Sequence, residues 1–82
     1  MKSIKVLGMG CASCQRTYQL IEQCADSAHA DVELSKVEDL QEIMEYGVLA
    51  TPGVVVDGVV VHSGGVPDKK SVLDWLGAPA GI

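Results

Sequence analysis

The stretch "TPGVVVDGVVVHSGG", residues 51–65, decides the fold, because its two valine-rich runs flank Asp57 and Gly58. Asp-Gly is favoured in two-residue hairpin turns, where both central residues adopt positive φ. The stretch therefore predicts two antiparallel strands joined by a tight turn. Pro52 carries no N–H, so the segment just before the hairpin cannot pair fully at that position.

Two strands and a long helix precede this hairpin. "SIKVLG", residues 3–8, predicts a first strand with the β-branched residues Ile4 and Val6 on one side. A helix follows from Cys11, and "DVELS", residues 31–35, predicts a second strand. The apolar positions of the helix recur at spacings of four and three and share one face: Cys14, Tyr18, Ile21, Ala25 and Ala28. The pattern is that of an amphipathic helix with a C-x-x-C motif at its N-terminal end.

A short helix is predicted after the second strand. Its start is capped either by a Ser35–Glu38 capping box or by Asp39, and it ends near Gly47. We expect its inward face to carry Leu40, Ile43 and Met44. The acidic positions between residues 38 and 45 are then interpreted as a solvated helix face.

The last helix begins at Asp68, a good N-cap, and ends at Gly77, leaving residues 77–82 as a frayed tail. Its apolar face carries Val72, Leu73, Trp75 and Leu76. The element order is therefore β-α-β-α-β-β-α, in one α/β domain over residues 1–82. Crossovers favour parallel neighbours and the hairpin adds antiparallel strands, so we predict a four-stranded mixed sheet flanked by helices.

Composition and charge exclude two classes of partner. The formal charge is −5 and the six Lys and Arg residues are scattered, whereas a nucleic-acid surface needs clustered positive charge. No apolar run approaches the ~20 residues of a membrane span, and the apolar stretch at the N-terminus is too short for a signal-peptide core. We expect a cytoplasmic monomer without nucleic-acid or membrane partners. In that compartment three cysteines indicate redox, catalytic or metal chemistry more than structural disulfides.

The motif "GMGCASC", residues 8–14, carries the chemistry. In the first turn of a helix, residues three apart lie on one side, so Cys11 and Cys14 can meet disulfide geometry. Helix N–H groups and the helix dipole stabilise a thiolate there and lower the pKa of such a thiol from ~8.5 toward ~7. Cys11, at the earlier and more exposed position, is the candidate nucleophile. Cys14 lies on the inward stripe and is the candidate resolving thiol.

A C-x-x-C at the start of the first helix, then Thr51-Pro52, then an Asp-Gly hairpin, resembles the thioredoxin fold in its minimal form. The chain is most similar to small prokaryotic thioredoxin-like proteins of the redox-active disulfide protein 2 type, over roughly residues 3–76. The resemblance implies a thiol–disulfide oxidoreductase acting on a protein disulfide and served by a separate reductase. It also implies no cofactor other than the Cys11–Cys14 disulfide.

The same resemblance implies a substrate-binding set around the cysteines. The Thr51-Pro52 bond is expected to be cis, with a trans turn as the alternative, and the Thr51 backbone to pair with an extended substrate segment. The residues implied as substrate contacts are Gly10, Ala12, Ser13, Thr51 and Pro52.

The sequence departs from ordinary thioredoxins at three places. Gly10 stands where a Trp usually precedes the first cysteine, and Ala12-Ser13 replaces Gly-Pro. The buried acid of thioredoxins would fall near Lys5, so no carboxylate is evident for moving a proton. The resemblance in fold therefore does not imply that this chain has the reducing activity or the partner choice of ordinary thioredoxins.

Two metal-binding interpretations compete with the redox one. "GMGCASC" also resembles the GMxCxxC loop of heavy-metal-associated domains, with Met9 as a further ligand, and thiolates suit Cu(I). Those domains, however, run β-α-β-β-α-β and lack a Thr-Pro before a hairpin. A zinc site would need Cys11 and Cys14 together with Cys24 and His29, which lie too far along the helix to close a tetrahedron.

A non-catalytic thioredoxin-like binding module is a third alternative, but it would leave the C-x-x-C unexplained. The remaining notable side chains are given ordinary roles. Cys24 is interpreted as a small buried apolar residue, Trp75 as core, and His29 and His62 as solvated residues.

Overall fold

The computed structural model describes residues 2–10, 12–48 and 50–77. In chain order the elements are β1 (Lys2–Leu7), α1 (Ala12–Ser27), β2 (Val32–Val37), α2 (Leu40–Glu45), β3 (Gly53–Val56), β4 (Val59–Ser63) and α3 (Lys69–Trp75). The predicted order β-α-β-α-β-β-α is confirmed. Gly77 ends the described part of the chain, so the tail predicted for residues 77–82 lies almost entirely outside it.

The strands form a four-stranded mixed sheet in the order β2-β1-β3-β4, as the sequence predicts. β1 and β2 are parallel, whereas β3 is antiparallel to both β1 and β4. Leu7, the last residue of β1, pairs with Val37, the last of β2, and with Gly53, the first of β3. The ends of two parallel strands and the start of an antiparallel one therefore meet at one edge of the sheet.

The Asp-Gly turn has the geometry that the sequence predicts. Asp57 has φ 49° and Gly58 has φ 84°, the left-handed values of a two-residue hairpin turn. The Asp57 carboxylate accepts a hydrogen bond from the Ser3 N–H at 2.9 Å, and the Asp57 N–H donates to the Ser3 carbonyl at 2.8 Å. The turn is thus tied to β1 as well as to its own strands.

Apolar side chains cover both faces of the sheet. Helices α1 and α3 pack on one face, with a cluster formed by Ile4, Val6, Ile21, Cys24, Ala25, Val54, Val72 and Leu76. Helix α2 covers the other face, with a cluster of Leu7, Val37, Ile43, Val48 and Val55. Cys24, at 2% exposure, is the buried apolar side chain that the sequence predicts, and Trp75 packs against the first cluster.

The inward face of helix α2 differs from the one that the sequence predicts. Ile43 is buried, but Leu40 is 55% and Met44 67% exposed, so the prediction for these two side chains is wrong. The helix has six residues, and such a short helix presents little more than one side chain to the sheet. Of the two predicted caps, Asp39 is the one used: its carboxylate accepts from the Gln41 N–H at 2.9 Å.

Two further expectations are revised. β2 runs on to Val37, two residues beyond the predicted "DVELS". His62 is half-buried rather than solvated, because its ring packs 5.8 Å from the Trp75 ring and its Nε2 lies 2.8 Å from the Gly65 carbonyl.

In the part of the chain that the structure describes, no helix is long and apolar enough to cross a bilayer.

Candidate redox site

Three loops meet at the sheet edge where β1 and β2 end and β3 begins. They are residues 8–10 after β1, Glu38 and Asp39 after β2, and residues 50–52 before β3. Parallel strands necessarily bring their carboxyl ends to one edge, which is where binding sites of such sheets form. The first turn of α1, which carries Cys14, and the predicted Thr-Pro segment are therefore neighbours in space despite their separation in sequence.

Cys14 lies in the first turn of α1, which begins at Ala12. Cys14 is 5% exposed, which confirms the prediction that it belongs to the inward face of the helix. Gln15 reaches back to the carbonyl of Gly10, to which its Nε2 donates at 3.3 Å. Gly10 has φ 85°, a left-handed conformation that redirects the chain into the helix. Cys11, the candidate nucleophile, lies outside the described residues.

Gly8 is the point where the C-x-x-C helix and the Thr-Pro segment converge. A Cβ atom at Gly8 would overlap the Sγ of Cys14 and would lie 3.9 Å from the Cβ of Thr51. Gly8 is itself held by donating its N–H to the Val37 carbonyl at 3.0 Å. The missing side chain thus leaves the space into which the Cys14 sulfur fits, with Thr51 alongside.

The segment before β3 has an exposed and a buried residue. Thr51 is exposed, Pro52 is buried, and the peptide bond between them is cis. The Pro52 carbonyl accepts a hydrogen bond from the Gly64 N–H at 2.9 Å, so the segment is anchored to the end of the hairpin.

The residues predicted to contact substrate divide by exposure. Gly10, Ala12 and Thr51 are exposed, Ser13 is half-buried and Pro52 is buried. The Ser13 carbonyl accepts a hydrogen bond from the buried Thr17 hydroxyl at 2.8 Å, which fixes the first turn of α1. The structure therefore brings Thr51 and Cys14 together at Gly8 and leaves Gly10 and Ala12 exposed.

A small cavity opens beside Cys14, with a volume of about 80 Å³. It is lined by Val6, Gly8, Gly10, Cys14, Gln15, Lys36 and Glu38. The two charged residues come from β2 and the loop after it. The Lys36 ammonium lies 4.7 Å from the centre of the Tyr18 ring, a cation–π distance, and a Glu38 carboxylate oxygen lies 3.6 Å from the Cβ position of Gly10.

Glu38 is a site residue that the sequence interpretation missed. We expected it on a solvated helix face, but it precedes Asp39, the N-cap of α2, and points toward Gly10. The register offered a signal: the residue after β2 must lie at the same edge as the loop after the parallel strand β1. Sequence patterns alone did not reveal this, because β2 was predicted to end before Lys36.

Lys5, which stands near the position of the buried acid in thioredoxins, is not among the described residues that line this cavity. Side chains alternate along a strand, and Ile4 and Val6 face α1, so Lys5 faces α2. There its ammonium donates to the Tyr46 hydroxyl at 3.4 Å. Neither charged group at the Cys14 cavity therefore comes from β1.

The residues of the zinc interpretation are dispersed. Cys14 lines the small cavity, Cys24 lies in the core cluster, and His29 borders a separate hollow between the end of α1 and β2. Among the described residues, no three metal-binding side chains lie close enough to hold an ion. The observed element order also differs from the β-α-β-β-α-β order of heavy-metal-associated domains, because α2 directly follows β2.

Comparison with known proteins agrees with this geometry. A family model described as "Thioredoxin domain" matches residues 2–77. The chain is similar to a thioredoxin of Methanocaldococcus jannaschii, with 36% identity over 76 residues that cover 93% of this chain and 87% of that protein. It is also similar to a thioredoxin of Methanothermobacter thermautotrophicus, with 32% identity over 76 residues, 93% of this chain and 99% of that protein.

Proposed function

Since this chain belongs to the thioredoxin family, we propose that it exchanges thiols and disulfides with partner proteins through Cys11 and Cys14. The family supports thiol–disulfide oxidoreductase chemistry in general. The observation that carries the assignment to these residues is the position of Cys14, buried in the first turn of α1 against Gly8 and beside Thr51.

The proposed reaction has two exchange steps. The Cys11 thiolate attacks a partner disulfide, an S–S bond forms between Cys11 and the partner, and one partner sulfur leaves as a thiolate. The Cys14 thiolate then attacks the Cys11 sulfur, so that the Cys11–Cys14 disulfide forms and the second partner sulfur leaves. The partner gains two electrons and this chain loses two. Burial of Cys14 supports this order, because a residue that is 5% exposed offers little surface to a folded partner.

An extended segment of the partner is proposed to lie along Gly10, Ala12, Ser13, Thr51 and Pro52. The exposure of Gly10, Ala12 and Thr51 around the Cys14 position supports a contact surface there. The Thr51 backbone is the proposed pairing element for the partner chain, since Pro52 has no N–H to offer.

The setting of the activity is part of the proposal. A separate reductase restores the dithiol, and no cofactor beyond the Cys11–Cys14 disulfide is required. We propose that the protein acts in the cytoplasm as a monomer with one thioredoxin-like domain over residues 1–82, without nucleic-acid or membrane partners. The charge of −5 with scattered Lys and Arg supports the exclusion of nucleic acid.

Single cysteine variants test the two roles. We expect Cys11→Ser to abolish reduction of a protein disulfide such as those of insulin, and Cys14→Ser to accumulate a mixed disulfide with the substrate, visible as an adduct by mass spectrometry. Cys24→Ala is the matched control and is expected to retain activity, because Cys24 lies in the core. Full activity in both Cys11→Ser and Cys14→Ser would overturn the assignment.

A further inference from the structure

We propose that Glu38 accepts the proton that the Cys14 thiol loses when Cys14 resolves the mixed disulfide. This inference rests on the proposed function and adds to it a residue from the loop after β2. Its basis is the juxtaposition of Glu38 and Cys14 on one small cavity beside Gly10.

The buried position of Cys14 creates the need for a proton acceptor. The nucleophile in disulfide exchange is the thiolate, and an ordinary thiol with a pKa of about 8.5 is mostly protonated at neutral pH. Burial disfavours the charged form further. At 5% exposure, Cys14 has little direct contact with solvent that could take its proton.

Among the described residues that line the cavity, Glu38 is the one side chain that can accept a proton at neutral pH. Val6, Gly8 and Gly10 have no titratable side chain, and the Gln15 amide is not a base at neutral pH. The ammonium group of Lys36 has only donors, whereas the carboxylate of Glu38 has only acceptors. Glu38 is also exposed, so a proton it receives can pass on to bulk water.

The cavity is large enough for a relay. Its volume of about 80 Å³ accommodates more than one water molecule, since each needs roughly 10–15 Å³ of such space. In the step, the proton passes from Cys14 to Glu38, directly or through water. The Cys14–Cys11 bond forms, the bond between Cys11 and the partner breaks, and the departing thiolate or solvent takes the proton from Glu38.

A purely electrostatic effect of Glu38 predicts the opposite result. Removing a negative charge near a thiol favours its thiolate, so Glu38→Gln would then speed resolution. A proton acceptor predicts that the same variant slows it. Lys36 is the other charged residue among the described residues that line the cavity, and it is unchanged in this variant, so the sign of the effect separates the two roles.

The test uses stopped-flow reaction of the reduced protein with excess dithiobisnitrobenzoate in a Cys24→Ala background. The first thionitrobenzoate reports attack by Cys11, and the second reports resolution by Cys14. We expect Glu38→Gln to slow the second phase by about tenfold or more near neutral pH, positioned proton transfer contributing roughly 10²–10⁴-fold. In Glu38→Gln the rate of the second phase should then rise in proportion to the hydroxide concentration. Glu38→Asp should restore part of the parental rate of this phase.

Glu42→Gln is the matched control, because it removes the same charge from α2 away from the cavity lining, and both phases should stay as in the parent. An unchanged or faster second phase in Glu38→Gln would overturn the role of Glu38. Release of only one equivalent of thionitrobenzoate by the parent protein would instead contradict the proposed function. Failure of the Glu38 proposal and failure of the proposed function therefore give different results.

Discussion

Gly8 shows how a single residue sets the geometry of this site. The sulfur of Cys14 occupies the space where a side chain at Gly8 would be, and the Cβ of Thr51 lies 3.9 Å from that position. The need for glycine comes from this close approach to a sulfur and to a second segment. The Cys14 thiol is therefore positioned by the end of β1 as much as by its own helix.

Gly8→Ala tests this positioning. We expect it to lower the free energy of unfolding by about 1–3 kcal/mol through overpacking, and to slow resolution by Cys14 because the sulfur must move. Chemical denaturation and the second phase of thionitrobenzoate release measure the two effects.

Gly65→Ala provides the comparison for Gly8→Ala. Gly65 has φ 72° with open space around it, so its substitution strains the backbone but leaves the site alone. A Gly8→Ala protein with parental stability and parental Cys14 reactivity would mean that Gly8 does not position the Cys14 sulfur.

Individual residues were predictable where a local pattern fixes them. The inward face of Cys14 and the left-handed turn at Asp57 and Gly58 follow from helical spacing and turn chemistry. The roles of Gly8 and Glu38 depend on atoms of distant segments that only the folded chain brings near. Sequence spacing carries no information on such contacts. For that reason the sequence assigns Gly8 no role in the site and favours a helix surface for Glu38.

Helices α1 and α2 differ in how well their burial could be predicted. α1 is 16 residues long, and Ile21 on its inward stripe is fully buried. α2 has six residues, and its apolar pattern gave the wrong face for Leu40 and Met44. In a helix of less than two turns the period is too short to define a stripe, so the neighbouring sheet decides which side chain is buried.

A pair of alanine variants tests this difference between the helices. Ile21→Ala should cost about 2–5 kcal/mol in unfolding free energy, because it leaves a cavity in the core cluster. Met44→Ala should stay within about 0.5 kcal/mol of the parent, since Met44 is 67% exposed. Denaturant titration of both variants measures this, and a large loss for Met44→Ala would mean that α2 buries the face first predicted.

The sheet as a whole explains why segments far apart in sequence form one site. β1 and β2 end at the edge where the antiparallel β3 begins, so the loops beside the C-x-x-C helix, Glu38 and Thr51 meet there. The element order was predictable, because strand and helix patterns, the Asp-Gly turn and their sequence agree with one topology. The charged lining of the cavity could not be predicted. Lys36 and Glu38 reach the cavity because β2 extends to Val37, and Lys5 is absent from the described lining because it lies on the other face of β1.

A redox titration with thiol trapping shows whether Cys11 and Cys14 form a reversible disulfide, on which the proposed exchange reaction depends. The Cys24→Ala protein is equilibrated in thiol–disulfide buffers from roughly −300 to −120 mV, the range of known C-x-x-C proteins, and its free thiols are alkylated and counted by mass. We expect a single two-electron transition from two free thiols to none, absent from Cys11→Ser and Cys14→Ser. Two free thiols at every potential in that range would mean that the two cysteines form no such disulfide.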